Sequence, residues 1–444
     1  MNSKGHLSIL GGGIAGLSTG YFAKRLGIPF TIYEAENRIG GNAYTLGCQD
    51  FLFDSGAHRF HDKDPQATEE IKNLLGKSIK KINIPSQISQ NGTFIDFPLT
   101  PLNLIMKLGL PVFTKCVFEI IFSRLNTKKQ TEDFKSFVNR TYGKTISSRF
   151  LLNYSEKLWG LPGAQLSPAI AGKRMQGMDL KTLILERILG TNDKTKHLEG
   201  SFYYPEKGIG QIAEKLRNEC GSENISMNSR ITKILHDDSK IHAVEINGDR
   251  LIDTQKVVST LPLNLFLKIM KPVCHEDILS LARSLRYRNM ILVVFFLNKI
   301  SVTKAATVYF PDSDIPFTRI YEPKNRSPFM SPPGKTSLVV EIPYEKENEP
   351  EEDEKKEMIE TTLSKLVEIG WIKECEIVGS SDYVLKYAYP VLDLGYEKKI
   401  SKIKAFLSRF NNLKLVGRNA NFAYIWIHSI MRESQTKVKE CLSR

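Results

Sequence analysis

Three glycines near the start of the chain, Gly11-x-Gly13-x-x-Gly16, follow an apolar run, Leu7 to Leu10, and open a stretch with helical periodicity. Gly11 permits a tight turn, Gly13 lets the backbone approach a pyrophosphate, and Gly16 lets helix and strand pack closely. The helix N-terminus then offers free N–H groups and partial positive charge to phosphates. Glu34 follows eighteen residues after Gly16, at the end of the next apolar run, where a carboxylate can accept bonds from ribose hydroxyls. Directly after it comes Arg38-x-Gly40-Gly41, a cation and two positions without side chains. That continuation separates FAD from NAD, because it suits the second phosphate and the flavin.

Positioning those groups requires one βαβ unit: a strand at Leu7 to Leu10, the glycine turn, a helix to about Leu26 stopped by Gly27, and a strand at Phe30 to Tyr33. From about Pro98 to Gly200 the pattern is helical and rich in basic residues, among them Lys107, Lys115, Arg124 and Lys128, and reads as an insertion. From Ile225 short apolar alternations take over, Ile231 to Leu235 and Ala243 to Ile246, with a turn at Asn247-Gly248 and a fully apolar strand at Val257 to Leu261. They suggest a return to the nucleotide-binding sheet. Strands at Met290 to Leu297, Ala306 to Phe310 and Ser337 to Ile342 would form a second sheet. The charged run Glu345 to Glu357 opens a helix to about Ile369, a solvated face, and Leu413 to Val416 leads into Gly417-Arg418. No internal repeat is visible.

The 444 residues exceed one simple core, so two or three folding units are expected. With 41% hydrophobic and 25% charged residues, a mostly disordered or mostly membrane-embedded chain is excluded, and a soluble, packed protein is expected. Lys and Arg outnumber Asp and Glu by 62 to 49, a net charge of +13 that attracts anions without choosing among them. Six cysteines without a C-x-x-C pair indicate neither a zinc site nor a disulfide framework, and reduced thiols of a cytoplasmic protein are the expectation. The stretch His6 to Phe22 contains Gly11, Gly12, Gly13 and Gly16 and has Lys4 as the one basic residue ahead of it, which argues against a signal peptide. The longest apolar run, Met290 to Leu297, is eight residues, too short to span a bilayer. The basic, amphipathic stretch Leu102 to Leu125, interrupted by Pro111, suits either packing inside the helical insertion or peripheral contact with an anionic membrane. Nothing argues for nucleic acid, and no metal is expected.

The Arg-x-Gly-Gly continuation resembles the FAD-binding family of amine oxidases, protoporphyrinogen oxidases, phytoene desaturases and UDP-galactopyranose mutases, and the similarity recurs to the end of the chain. The branch nearest in pattern lies close to UDP-galactopyranose mutase and protoporphyrinogen oxidase. Gly56-Ala57-His58-Arg59-Phe60-His61 resembles that branch's segment against the flavin, which implies that His58 holds or polarises the flavin or exchanges a proton. Tyr154-x-x-Lys157-x-Trp159-Gly160, followed by Arg174, resembles the mutase segment where an aromatic stacks on substrate. Arg319, in Asp314 to Lys324, resembles an arginine that neutralises a sugar nucleotide's diphosphate. Gly417-Arg418, Phe422 and Tyr424 resemble a closing segment whose arginine meets the flavin and whose second aromatic meets the diphosphate.

Two departures weigh against the mutase branch. Met178 stands where mutases have a further arginine, and Trp426-Ile427-His428 replaces an acidic pattern around methionine. Phe202 to Gly210 is instead similar to the oxidase branch. The resemblance implies an α/β fold, a Rossmann-like FAD-binding domain with an inserted helical domain and a second, sheet-containing substrate domain. The expected divisions are 1–97, 201–265 and 396–444 for FAD, 98–200 for the helical insertion and 266–395 for the substrate sheet. It implies an FAD-dependent oxidoreductase that takes a hydride from a small-molecule substrate, the anionic candidates being a porphyrinogen and a sugar nucleotide. Two alternatives stand beside it: a mutase using reduced flavin as nucleophile on a sugar, and a non-catalytic escort protein. The retained Glu34, Arg38, Gly40 and Gly41 argue against the last.

Overall fold

The computed structural model describes residues 5–97, 101–125, 133–174, 201–346 and 348–442. Leu7–Leu10 is buried at every residue, as a central strand of a parallel sheet covered on both faces must be. It lies between Phe30–Tyr33 and Lys256–Ser259 in a five-stranded parallel sheet completed by Ile225–Ser226 and Leu413–Leu415 at the two edges. The helix Ile14–Arg25 ends before Gly27, whose φ of 63° suits the left-handed stop, and packs against Gly210–Cys220 and Ile427–Glu440. The chain therefore leaves and re-enters this unit several times.

The alternating segments after Ile225 do not all return to it. Ile231–His236 and Ile241–Ile246 form their own four-stranded sheet with Arg250–Asp253 and Met270–Lys271. The turn at Asn247-Gly248, with φ of 56° and 91°, closes a tight antiparallel hairpin, and such local pairing outcompetes joining a distant parallel edge.

The second large sheet has seven strands, in the order Ile377–Pro390, Tyr287–Leu297, Thr336–Tyr344, Arg319–Tyr321, Val308–Tyr309, Ser86–Gln90, Thr93–Phe97. Ile291, Val293, Phe295 and Leu297 face one core with Leu366, while Leu292, Val294 and Phe296 face another with Phe51 and Phe53. Both faces are covered, which is why this strand reads as a continuous apolar run. The stretch Ala306 to Phe310 contributes only the short Val308–Tyr309. Ser86–Gln90 and Thr93–Phe97, within the stretch assigned to FAD binding, hydrogen-bond into this sheet through Val308–Tyr309. The charged helix begins later than its charges suggest, at Glu352, where Glu351 and Glu354 form a reciprocal cap.

In the basic region, Pro101–Leu108 and Leu110–Leu125 are separate helices. The break falls at Gly109, φ 83°, and Pro111 sits in the first turn of the second helix, where its missing N–H costs nothing. Phe134–Tyr142 follows, then a run from Lys144 to Trp159 widened at Ser147–Leu152 into a π turn. Leu104, Cys116, Ile120, Phe134, Val138, Ile146 and Phe150 share one buried cluster that includes Trp159.

Candidate active site

The glycine loop and the Arg38-x-Gly40-Gly41 segment are built against each other. Gly40 N–H donates to the Gly12 carbonyl at 3.0 Å, and a side chain at Gly41 would bring its Cβ within 3.1 Å of Gly13 Cα. The two glycine pairs are thus needed for mutual approach as well as for a ligand. Arg38 lies over the Tyr44 ring at 3.7 Å and donates to the Gly41 carbonyl and the Tyr383 hydroxyl. Glu34 accepts from Gly12 N–H at 2.6 Å and from Glu36 N–H at 2.9 Å, and burial raises its pKa against those bonds. Each carboxylate oxygen keeps a lone pair for a hydroxyl. Gly417 caps the last approach, since a Cβ there would meet Ala15 at 2.7 Å.

This cradle fits a dinucleotide. The helix Ile14–Arg25 has no side-chain cap and no acidic residue in its first turn, so its leading N–H groups and dipole are offered to phosphates. A Cβ on Gly13 would meet Gly41 and the Gly40 carbonyl at 3.5 Å and beyond, ordinary contact without collision, so packing alone does not demand a glycine there.

Next to Asn42, the residue after Gly41, begins a cavity of about 290 Å³ between the sheets and the helical region. His58, Trp159, Arg319, Arg418 and Tyr424, expected from separate stretches of sequence, all line it. Trp159, Tyr389 and Tyr424 form an aromatic wall with edge contacts of 5.7 and 6.0 Å from the indole, and Arg418 lies 5.1 Å from the centre of the Tyr424 ring. The Arg418 guanidinium is also committed to the carbonyls of Ile425 and Ala388. Tyr154 packs edge-on against Tyr309 with ring centres 5.4 Å apart, and burial raises the hydroxyls of Tyr154 and Tyr389, which keeps them as O–H donors. Arg174 ends the segment Pro168–Arg174; its side chain and Met178 lie outside the described residues.

His58 sits on the turn after the hairpin Thr45–Cys48 and Phe51–Asp54, which is pinned by Tyr321 donating to the Asp54 carbonyl at 2.6 Å. Burial, then Arg418, Arg319 and Arg326, pull its pKa down to about 3, so its imidazole is neutral and exchanges no proton near pH 7. Its Nε2 is 3.3 Å from the Ser55 hydroxyl. Holding or polarising a ring remains open to it.

Arg319 reaches the cavity already paired. It stands directly opposite Glu341 in the antiparallel register, and its Nε donates to Glu341 Oε2 while a terminal nitrogen donates to the Tyr389 hydroxyl at 2.9 Å. Glu341 Oε1 accepts from Ala57 N–H at 2.8 Å. Sequence reasoning passed over Glu341 and Tyr389. The signal for the first was a single carboxylate inside the apolar run Leu338 to Ile342. Lys157, part of the quoted motif, does not face substrate: its ammonium donates to the carbonyls of Phe310, Asp312, Ile315 and Phe317 at 2.6 to 3.1 Å. It fastens the loop before Arg319 to the helix that carries Tyr154 and Trp159.

A parallel dinucleotide sheet with a glycine-cradled helix, joined to a mixed sheet by an aromatic cavity, defines an FAD-binding protein of α/β class. The family model for flavin containing amine oxidoreductases matches residues 14–386, and the chain belongs to that family. The mitochondrial protoporphyrinogen oxidase of Nicotiana tabacum is 21% identical over 287 residues, 59% of this chain and 55% of the tobacco protein. The coproporphyrinogen III oxidase of Bacillus subtilis is 20% identical over 295 residues, 59% of this chain and 60% of its own. The chain thus spans little more than half the length of these relatives. A reduced UDP-galactopyranose mutase structure superposes with a TM-score of 0.86 at 18% identity, covering 99% of this chain and 94% of that one, and shares the fold.

Proposed function

We propose that the protein is an FAD-dependent oxidoreductase that oxidises a small molecule at a C–H bond next to nitrogen or oxygen. The bound flavin supplies a two-electron acceptor for the hydride. The observation that carries the reading is that Asn42, directly after Gly40-Gly41, lines one cavity together with His58, Arg418 and an aromatic wall. In it, Trp159, Tyr389 and Tyr424 exclude water and orient a flat or apolar substrate, neutral His58 supports the ring of the cofactor without transferring a proton, and Arg418 offers positive charge at the closing segment. Gly11, Gly13, Gly16, Glu34, Arg38, Gly40, Gly41 and Gly417 hold the dinucleotide, and the segments 1–97, 201–265 and 396–444 supply most of that part. Described residues within 98–200 and 266–395, together with Tyr424, supply the substrate walls. A porphyrinogen fits this reading as substrate class, peripheral membrane contact fits the exposed Phe118 and Phe122 of Leu110–Leu125, and a cytoplasmic location fits the free cysteines.

The mutase reading keeps one specific support, the meeting of Trp159, Arg418 and Tyr424 in a single cavity. Anaerobic mixing of the oxidised holoprotein with the true substrate is expected to bleach the flavin absorbance, and an electron acceptor to restore it. Isomerisation of a UDP-sugar only after dithionite reduction, with no bleaching by any substrate, would reverse the order of the two readings.

A further inference from the structure

The turn that carries His58 is held at both ends, and the bonds around its ring decide which imidazole nitrogen bears the proton. At the start of the turn, the hydroxyls of Tyr204 and Thr45 donate to the Asp54 carboxylate at 2.5 and 2.8 Å, beside the bond from Tyr321 to the Asp54 carbonyl. At the end, His58 N–H donates to the Gly56 carbonyl at 2.7 Å, and the buried Arg326 donates to the His58 carbonyl at 3.2 Å. The backbone under the ring is therefore fixed. The Ser55 hydroxyl, 3.3 Å from His58 Nε2, has one hydrogen and two lone pairs. Its hydrogen goes to the Asn42 carbonyl at 3.0 Å, and one lone pair takes the N–H of Tyr44 at 3.2 Å. Only a lone pair remains for the imidazole, so Nε2 must be the donor. The Asn42 carbonyl is also within reach of the ring and can only accept. A half-turn of the ring would set a carbon against Ser55 and lose the bond.

We propose that His58 is held as the tautomer protonated on Nε2, and that its bare Nδ1 accepts a hydrogen bond from an N–H or O–H group of the molecule bound in the cavity. This rests on the reading that the cavity beside His58 holds the flavin ring and the substrate. Among the described residues Nδ1 has no hydrogen-bond partner, and the ring lines the cavity. The imidazole stays neutral because it is buried among Arg418, Arg319 and Arg326, and a neutral ring with its proton on Nε2 keeps a lone pair on Nδ1. Ser55 and Asn42 are positioning residues in this scheme, acting through His58. Asn42 directly follows Gly40-Gly41, so the cofactor loop itself helps to fix the tautomer. The ligand class follows: a hydrogen-bond donor, such as a pyrrole or amine N–H of the substrate or the N–H that a flavin gains on reduction. A tertiary amine or an ether would leave the lone pair unmet.

The test is nitrogen NMR of the flavin-loaded full chain with isotope-labelled histidine, the His58 signals being those lost in His58→Phe. Should that variant fail to fold, the signals displaced by Ser55→Ala assign them. Wild type at neutral pH is expected to show a protonated Nε2 and a bare Nδ1; a proton on Nδ1 overturns the proposal. Two donors are then offered: reduction of the flavin by dithionite, and pyrrole-2-carboxylate, with furan-2-carboxylate as its match lacking the N–H. An Nδ1 signal that moves on reduction alone identifies the flavin as the source of the bond. One that moves with the pyrrole and not with the furan identifies the substrate, and the pyrrole should then bind roughly three- to tenfold more tightly, a preference lost in His58→Phe. A bare Nδ1 that neither reduction nor the pyrrole moves overturns the acceptor role. Loading the apoprotein with FAD separates the two ways to fail. His58 signals unmoved by loading overturn the reading of the site and the proposal with it, whereas signals that move while Nδ1 stays protonated overturn the proposal alone.

Discussion

Individual residues in this protein separate into those that serve the fold and those that serve a ligand, and the first glycine loop shows how to tell them apart. A methyl group on Gly16 would collide with the Gly11 carbonyl, so Gly16→Ala is expected to lower stability by about 1 to 3 kcal/mol, read as a fall in the denaturant midpoint. Gly13 has an ordinary backbone, φ −71°, and a Cβ there would make only ordinary contact with Gly41. Gly13→Ala should keep the apoprotein's melting temperature and lose bound flavin absorbance, whereas full flavin content would move the pyrophosphate elsewhere. His58 makes a second, pH-dependent contribution. The unfolded chain takes its proton near 6.5 and the folded chain only near 3, so stability is lost as pH falls through that window. His58→Gln should therefore flatten the decline of melting temperature between those two values, and an unchanged slope would mean that the imidazole is not held neutral. Both residues were visible in the sequence as motif members; the neutrality of His58 was not, because it arises from burial and then from Arg418, Arg319 and Arg326, far away in the chain.

At the scale of elements, the junction between the helical region and the mixed sheet depends on one side chain. Lys157 extends from Asn153–Trp159 and collects four carbonyls of the loop 310–317, which leads into Arg319–Tyr321. Replacing it by Met keeps much of the aliphatic stem and leaves those carbonyls without their donor. The expected cost is about 1 to 3 kcal/mol, measured in urea, because stranded polar groups forfeit their solvation without recompense. An unchanged midpoint would show that water satisfies the loop equally well. The sequence marked Lys157 by spacing but not by purpose, since the four carbonyls belong to backbone more than 150 residues away. Local signals succeeded where an element carries its own stop: Gly27 ends the first helix and Asn247-Gly248 closes a hairpin. They failed where pairing partners are remote, as for Ser86–Gln90, which joins the mixed sheet through Val308–Tyr309.

For the whole molecule, the face of the helices Pro101–Leu108 and Leu110–Leu125 is the feature that the cofactor site does not account for. Met106, Leu110, Phe118, Ile121 and Phe122 are each more than half exposed, beside the exposed Lys107 and Lys115. Leu104, Cys116 and Ile120 face inward, so packing accounts for the inner face, and the exposed face is the one that the proposed membrane contact would use. No helix among the described residues is long and apolar enough to cross a membrane. Sedimentation with vesicles rich in anionic lipid is expected to carry the protein down, and Phe118→Asp with Phe122→Asp should reduce the bound fraction several-fold without changing flavin content; equal binding by the variant would remove this face from membrane contact. By itself the sequence determined the βαβ unit and the cofactor class, because glycine spacing, a following carboxylate and apolar periodicity act within a few turns of chain, while five of the residues that line the cavity were marked through the family resemblance. Tertiary structure alone decided what those residues are worth there. Strand register placed Glu341 across from Arg319, the hairpin before His58 buried its ring among arginines, and the loop around Lys157 claimed its charge. Charge neutralisation and burial depend on which remote groups come within a few ångströms, and no spacing along the chain encodes that distance.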